Sequence, residues 1–401
     1  MTKRHLIFIA GLYYFLQGMS GNPGLHQQAL KFYLTQQLGF GAADLASFTF
    51  LISIPWMVKP VYGIITDCVP LFGYRMKSYF ILGSFIASLS YLIIFWFGLS
   101  TATALSLLFV LPAVGVASSD VLCDKWMLIM GKPLNVTDRM QSAQWFSISV
   151  AGIIIMVVGG YVAQYMSLRY AVLVSLPFAL AIIPLTVFSW KEDRAASLGQ
   201  AATEAKKGLT QAVKSKRLWA CAVFLFFFNG MPQLGSPVLY VYETNVLHFS
   251  QVMIGYLDMT ANVGFIIGVA LYGFYCKKLP EKLMLRLIVI SAVISAVCFI
   301  FFRDTLSAFI ILFAASAVGV IAYMGPLVIA AKACPANAEG TVFAMLMSVI
   351  NFGKQLGSVI GGWIYEPFGF TWLVIFSTFC VATTWFLLPL VCFDDSKGVE
   401  V

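Results

Sequence analysis

Twelve apolar stretches of about 20 residues follow one another along this chain of 401 residues, and little else constrains its fold so tightly. They lie near 6–35, 45–66, 78–98, 103–127, 140–165 and 168–190, and then near 218–243, 251–276, 284–301, 306–333, 340–365 and 369–392. An α-helix of about that length crosses the hydrocarbon core of a bilayer. Composition points the same way. Charged residues make up 10% of the chain, against about 25% in a soluble domain. A water-soluble fold this apolar would lack the side chains to cover its surface. The expected class is therefore an all-α integral membrane protein with twelve transmembrane helices. The apolar run after Met1-Thr2-Lys3-Arg4-His5 has no small-residue cleavage site behind it and is read as the first span, not as a signal peptide.

The one long polar interval, 191–217, is rich in Lys, Ala and Glu. It divides the chain into an N-terminal six-helix bundle (1–190) and a C-terminal one (218–401), with 191–217 as a cytosolic linker. Alternating the loops between two sides puts 18 of the 25 Lys and Arg residues on the side of the termini, and only Arg169 and Arg303 opposite. That bias expects both termini in the cytosol of a multi-pass protein, most simply in a bacterial inner membrane. The net charge of +8 is then a topology signal, and no nucleic-acid partner follows from it. Eight scattered cysteines without a CxxC pair, and three histidines far apart, provide no metal motif and call for no cofactor.

The halves resemble each other. Gln17-Gly18-Met19 is echoed by Asn229-Gly230-Met231, Tyr62-Gly63 by Tyr272-Gly273, and Gly159-Gly160-Tyr161 by Gly361-Gly362-Trp363, in the same order and at nearly one spacing. A duplicated six-helix unit follows. Two parallel six-helix repeats around a midplane site are the layout of major facilitator transporters. Enzyme chemistry finds no Ser/His/Asp cluster or phosphate loop here, the lack of a sizeable soluble domain counts against a receptor, and a channel needs no duplicated bundle. A carrier working as a monomer on a small molecule is the expected function.

Charges inside the spans are costly, at roughly 2.5–3.5 kcal/mol each near a helix centre, and so mark candidate sites. Five lysines fall there, Lys31, Lys59, Lys125, Lys332 and Lys354, against Asp120, Asp124 and Asp258. The positive surplus favours an anionic solute. Lys125 and Lys332 lie near helix ends, where they can snorkel. Lys354 is mid-span beside Asn351 and Gln355, and either lines a cavity or joins an internal ion pair. Lys31 follows a break at Ser20-Gly21-Asn22-Pro23-Gly24 and shares a helical face with Gln27, as a binding patch or a polar outer mouth. Asp120 and Asp124 sit one turn apart. Two carboxylates this close repel, which suits reversible binding of a coupling proton, unless Lys125, Arg139 or the 2–3 loop neutralises them. Asp258 is expected to pair with Asn262.

The 2–3 loop carries Gly63-x-x-x-Asp67 and then Gly73-x-Arg75-x-Lys77, similar to the major facilitator signature at this position. Asp67 can pair with Arg75 or accept from a helix N-terminus, so Asp67, Arg75 and Lys77 form a candidate gate latch.

The run Pro55-Trp56-Met57-Val58-Lys59-Pro60-Val61-Tyr62-Gly63, continued by Pro70-Leu71-Phe72-Gly73-Tyr74-Arg75, resembles the folate–biopterin transporter family, a branch of the major facilitators. Tyr14 to Gly18, Phe32-Tyr33-Leu34, Ser119-Asp120-Val121 with Asp124, and Gly340 to Leu346 with Ser348 and Asn351 fit the same family. The resemblance implies a planar aromatic anion, a folate or pterin, carried by a proton-coupled symporter. Another organic anion, a peptide or a siderophore is the alternative within transport. The expected binding residues are Gln27, Lys31, Trp56, Lys59, Asn351, Lys354 and Gln355, with Trp56 and Tyr62 able to stack on a flat ring.

Overall fold

A computed structural model of the chain describes residues 2–21, 24–98, 101–192, 194, 215–231, 234–275, 279–334 and 339–391, so most of the expected linker lies outside the described residues. The described residues are helical apart from short loops and an isolated bridge between Leu71 and Tyr74. In the first half the helices are α1 (Lys3–Gly21), α2 (Gln27–Gln36), α3 (Ala42–Met57), α4 (Lys59–Cys68), α5 (Lys77–Phe97), α6 (Ala102–Gly131), α7 (Thr137–Tyr165) and α8 (Leu168–Ser189). The second half has α9 (Lys216–Gly230), α10 (Ser236–Asn245), α11 (Gln251–Tyr275), α12 (Glu281–Val297), α13 (Thr305–Ala333), α14 (Glu339–Thr383) and α15 (Leu388–Val391).

Among the described residues, nine helices are long and apolar enough to cross a membrane. The first and seventh expected spans are not among them; each is divided in two, into α1 and α2 and into α9 and α10. The last apolar run, Val342–Val391, is 50 residues long and turns at Gly369, whose φ of 78° and ψ of 179° fall where residues with a Cβ are strained. The arrangement is consistent with twelve crossings.

The breaks have local causes. After α1 the backbone turns through Gly24 at φ +77°, and the Gly24 N–H closes back on the Gly18 carbonyl at 3.0 Å. Between α3 and α4, Val58 leaves the helical region (φ −108°, ψ 22°) where Pro60 interrupts the hydrogen-bond ladder.

Two apolar clusters hold the halves together internally. One gathers Leu6, Tyr13, Phe80, Trp126 and Met140 from the first half. Another gathers Leu218, Phe224, Ile288, Ile329 and Leu346 from the second. A third mixes Leu34, Ala42 and Phe48 with Val238, Tyr240 and Leu373, and so belongs to both. The halves meet where α7 packs along α11 and α3 along α14. Around the outside, large apolar side chains such as Phe188 (84% exposed) and Phe386 (79%) stand unburied, a perimeter suited to lipid and not to water. Polar groups in the interior find partners, as where the Tyr13 hydroxyl donates to Thr186 Oγ1 at 2.8 Å and accepts from Trp190 Nε1 at 3.0 Å. The described cysteines carry no disulfide, and no metal-ligating group of His, Cys, Asp or Glu forms among the described residues.

Candidate functional site

Two polar layers lie along the seam between the halves. Lys77, Lys132 and Arg139 mark the basic end, and Arg169 and Arg303 the far end.

The first layer is built on the α3–α4 break. Pro60 has no N–H, so the Trp56 carbonyl four residues earlier loses its helical donor. Asn351 Nδ2, from α14 in the other half, donates to that carbonyl at 3.1 Å. The same break aims Lys59 into the bundle. Its Nζ lies 2.6 Å from Asp120 Oδ2 on α6 and 4.5 Å from the centre of the Trp56 ring. The pair is only 19% and 17% exposed. One turn along α6, Asp124 accepts from the Tyr14 hydroxyl of α1 at 2.7 Å, with Gln144 of α7 alongside. Trp56, Lys59, Asp120, Asp124 and Asn351 are thus drawn together from both halves and from about three-quarters of the chain's length. The cation paired with Asp120 is Lys59.

Lys354, on α14 one turn from Asn351, lies among the helices, yet its side chain is exposed, as is that of Asp124. Both therefore line internal space that water reaches. Among the described residues, Lys354 has no hydrogen-bond or ion-pair partner. Gln355 beside it is half-buried.

The second layer closes the far end. Lys31 Nζ donates to Ser236 Oγ at 2.7 Å and lies 5.4 Å from the Tyr240 ring centre. Gln28 donates to the Gln251 carbonyl at 2.6 Å, Gln36 to Asn245 at 3.0 Å, and the Ala43 N–H to Glu366 Oε1 at 3.0 Å. Each of these bonds joins one half to the other. The backbones also approach closely here, since a Cβ placed on Gly362 would sit 2.8 Å from Ala43 Cα. Lys31 is therefore part of a seam and not an open outer mouth. Gln27, one turn before it, is half-buried.

Glu243, at the end of the expected 218–243 span, adds a further charge to those inside the spans. It is 2% exposed, its Oε1 has no hydrogen-bond partner, and it shares the far-end layer with Lys31 and Asp258. Its inclusion reduces the positive surplus from two to one. Asp258 is not held by Asn262, whose amide points at Met156 Sδ, 3.6 Å away.

At the basic end, the N–H groups of Arg75, Met76 and Lys77 all point at the Glu192 carboxylate, at 2.8, 3.0 and 2.8 Å. Glu192 thereby caps the start of α5, the task expected of Asp67. Lys77 Nζ also donates to the Val187 carbonyl at 3.1 Å and stands over Trp190. Asp67 lies on α4, but its side chain is outside the described residues. Glu192 and Glu243 are polar residues that the chain alone does not single out, and Tyr14 stands out there only through the family resemblance. Glu243 alone carried a signal, an acidic residue ending an apolar run.

Comparison with known proteins places this geometry. A profile of the BT1 family matches residues 17–391. A folate–biopterin transporter of Synechocystis is 30% identical over 375 residues, covering 89% of this chain and 74% of that protein. Folate transporter 1 of Plasmodium falciparum is 23% identical, covering 79% of this chain and 65% of its own length. Among solved structures, the nucleoside transporter NupG superposes with a TM-score of 0.74 at 14% identity, covering 98% of this chain and all of that one. A bacterial homologue of the lysosomal transporter Spinster, in an inward-facing and unoccupied conformation, gives 0.66 at 11% identity, covering 97% of this chain and 94% of its own. These likenesses establish the major facilitator fold. The protein is a multi-pass membrane transporter and not an enzyme, and the chain belongs to the BT1 family, the folate–biopterin transporters.

Proposed function

We propose that the protein carries a planar aromatic anion of the folate or pterin class by alternating access, as a proton-coupled symporter. The observation that carries this reading is Lys354, an ammonium without a protein partner among the described residues, on internal space that water reaches and one turn from Asn351, whose amide holds the Trp56 carbonyl. An uncompensated cation at that depth calls for an anion that comes and goes. Lys354 takes the carboxylate, Asn351 and Gln355 meet the polar edge of the ring, and Trp56 offers a stacking face.

The Lys59–Asp120 pair links solute to proton. A proton on Asp120 releases Lys59 for a second anionic group, and its departure restores the pair. Asp124 is the next carboxylate on the same face and the second candidate for the proton. The bundles 1–190 and 218–401 rock about the seam, with 191–217 as their linker. Lys31 and Gln27 belong to the far-end closure and meet the solute when it opens. Asp67, Arg75 and Lys77 work at the basic end as a latch. The positive bias puts the basic end and both termini in the cytosol, in a bacterial inner membrane, and one chain suffices as the working unit.

The test is a melting-temperature screen of purified protein against folates, pterins and unrelated carboxylates. A ligand that binds the folded state raises the melting temperature in proportion to its excess over its dissociation constant. A shift with folates or pterins that disappears in Lys354→Ala supports the reading. A shift only with other carboxylates removes the folate–pterin class.

A further inference from the structure

Glu243 plays no part in the cycle above, yet it is among the most completely enclosed charged side chains of the protein. It sits on α10 with 2% exposure, and its Oε1 is buried without a hydrogen-bond partner. Helices α3, α11 and α14 pack against α10, and α2 reaches it through the Lys31–Ser236 bond. From these elements, Lys31 on α2 and Asp258 on α11 act on Glu243 by charge. Asp44 on α3 is exposed at the far surface, Glu366 on α14 is committed to the Ala43 N–H, and Tyr240 of α10 itself donates to Gln251 Oε1 at 2.9 Å.

One ammonium among two carboxylates leaves a net negative charge in a place the seam closes to water. A buried carboxylate with a bare oxygen is costly, because nothing replaces the hydration it has lost. A single proton makes the trio neutral. Glu243, whose oxygen is buried without a partner, is the carboxyl to carry it, which leaves the charge of Asp258 to Lys31. The membership of the trio matters as much as its charge. Lys31 comes from the first half, and Glu243 and Asp258 come from the second. Parting the halves at the far end removes the ammonium and admits water, in which a carboxyl gives up its proton near neutral pH.

We infer that Glu243 is a proton-binding site which must be loaded for the far end to close. The chemistry is reversible protonation of one carboxylate oxygen, with the proton drawn from the far-side solution. The site is separate from Asp120 and Asp124, and it rests on the alternating-access reading above.

The experiment uses the full chain in lipid nanodiscs. A ketone-bearing amino acid at the exposed positions Gln37 and Val246 carries spin labels across the far-end seam, so the native cysteines stay in place. In the otherwise wild-type chain, raising pH from about 5.5 to about 8.5 should move the label pair from the short to the long distance. One proton changes that ratio by up to about tenfold per pH unit. Glu243→Gln, which mimics the loaded state, should hold the short distance throughout. Lys31→Met leaves two carboxylates to neutralise, so closure should need more acid and depend on pH more steeply. An unchanged midpoint in Lys31→Met overturns the inference even where Glu243→Gln does not fold. Glu243→Gln titrating like the parent overturns it as well. A distance that responds to added folate but not to pH overturns the proton site and leaves alternating access standing. A distance that responds to neither overturns both.

Discussion

The two halves treat their interior charges differently. In the first half, Lys59 is paired with Asp120 at 2.6 Å, and Asp124 takes a hydrogen bond from Tyr14 at 2.7 Å. In the second half, Lys354 has no partner among the described residues and Glu243 has a buried oxygen without one. A charge in a bilayer is retained against a cost of a few kcal/mol, so an unmatched charge has to be matched for part of the working cycle by something else. The difference teaches a division of labour. On the proposed reading, the first half pairs its charges within the protein until a proton parts Lys59 from Asp120, and the second half leaves Lys354 and Glu243 to be matched by a solute and a proton.

The largest effect should come from breaking the Lys59–Asp120 pair. Lys59→Met leaves Asp120 with its hydration removed and its cation gone, at a cost of about 3 kcal/mol. The variant should lose several degrees of melting temperature and nearly all transport. Asp120→Asn is the gentler half of the same test. It imitates the protonated state, so uptake driven by a pH gradient should vanish in proteoliposomes while solute exchange persists, because exchange needs no proton release. Gradient-driven uptake that survives in Asp120→Asn would move the coupling role to Asp124 and break the comparison at its strongest point.

Lys354→Ala tests the other side. With no ion pair to disrupt, stability should change by less than about 0.5 kcal/mol. Affinity for an anionic solute should fall by about tenfold to a hundredfold, the worth of one charge-assisted hydrogen bond. Equilibrium binding read beside thermal melting separates the two. A large stability loss with unchanged affinity would mean that Lys354 is structural like Lys59, and the halves would then be alike.

Much of the fold can be read along the chain because span length and charge bias are local properties. The break after α1 is announced by Ser20 to Gly24, and the turn between the last two spans by the Pro367–Gly369 region. Partner choice is not local. Lys59 and Asp120 lie on different helices 61 positions apart, and sequence alone assigned one to the solute and the other to the proton. Lys31 reads as a polar mouth until Ser236, from the other half, is seen at its ammonium. Glu243 escaped because it closes an apolar run, where an acidic residue looks like a loop. Glu192 was hidden among the charges of the polar interval, although it organises the start of α5.

A smaller effect sharpens the picture of the first half. Tyr14→Phe removes a single donor to Asp124, whose side chain still reaches water. The cost should be about 1 kcal/mol. If Asp124 binds a proton during the cycle, loss of that donor makes protonation easier, and the pH profile of uptake should move toward alkaline pH with its maximal rate nearly unchanged. An unmoved profile would leave Asp124 as scaffold.

The smallest effect concerns the basic end, where Glu192 gathers three N–H groups at the start of α5. A carboxylate at a helix N-terminus is worth about 0.3–1 kcal/mol through the helix dipole, and it also satisfies donors that the first turn cannot pair within the helix. Glu192→Gln keeps one acceptor oxygen and the side-chain length but removes the charge. The melting temperature should therefore fall by only a few degrees, and solute affinity should stay within about twofold of the parent, since the cap lies away from Lys354 and Trp56. Turnover is the informative quantity. The cap ties the chain after α4 to the chain after α8, both within the first half, so it stiffens one body and spans no gate. Its loss should leave turnover near the parent rate, whereas Asp67→Asn, at the proposed latch, should slow turnover without weakening binding. If Glu192→Gln slows turnover as Asp67→Asn does, the two carboxylates serve one latch, and the paired charges of the first half extend to the basic end.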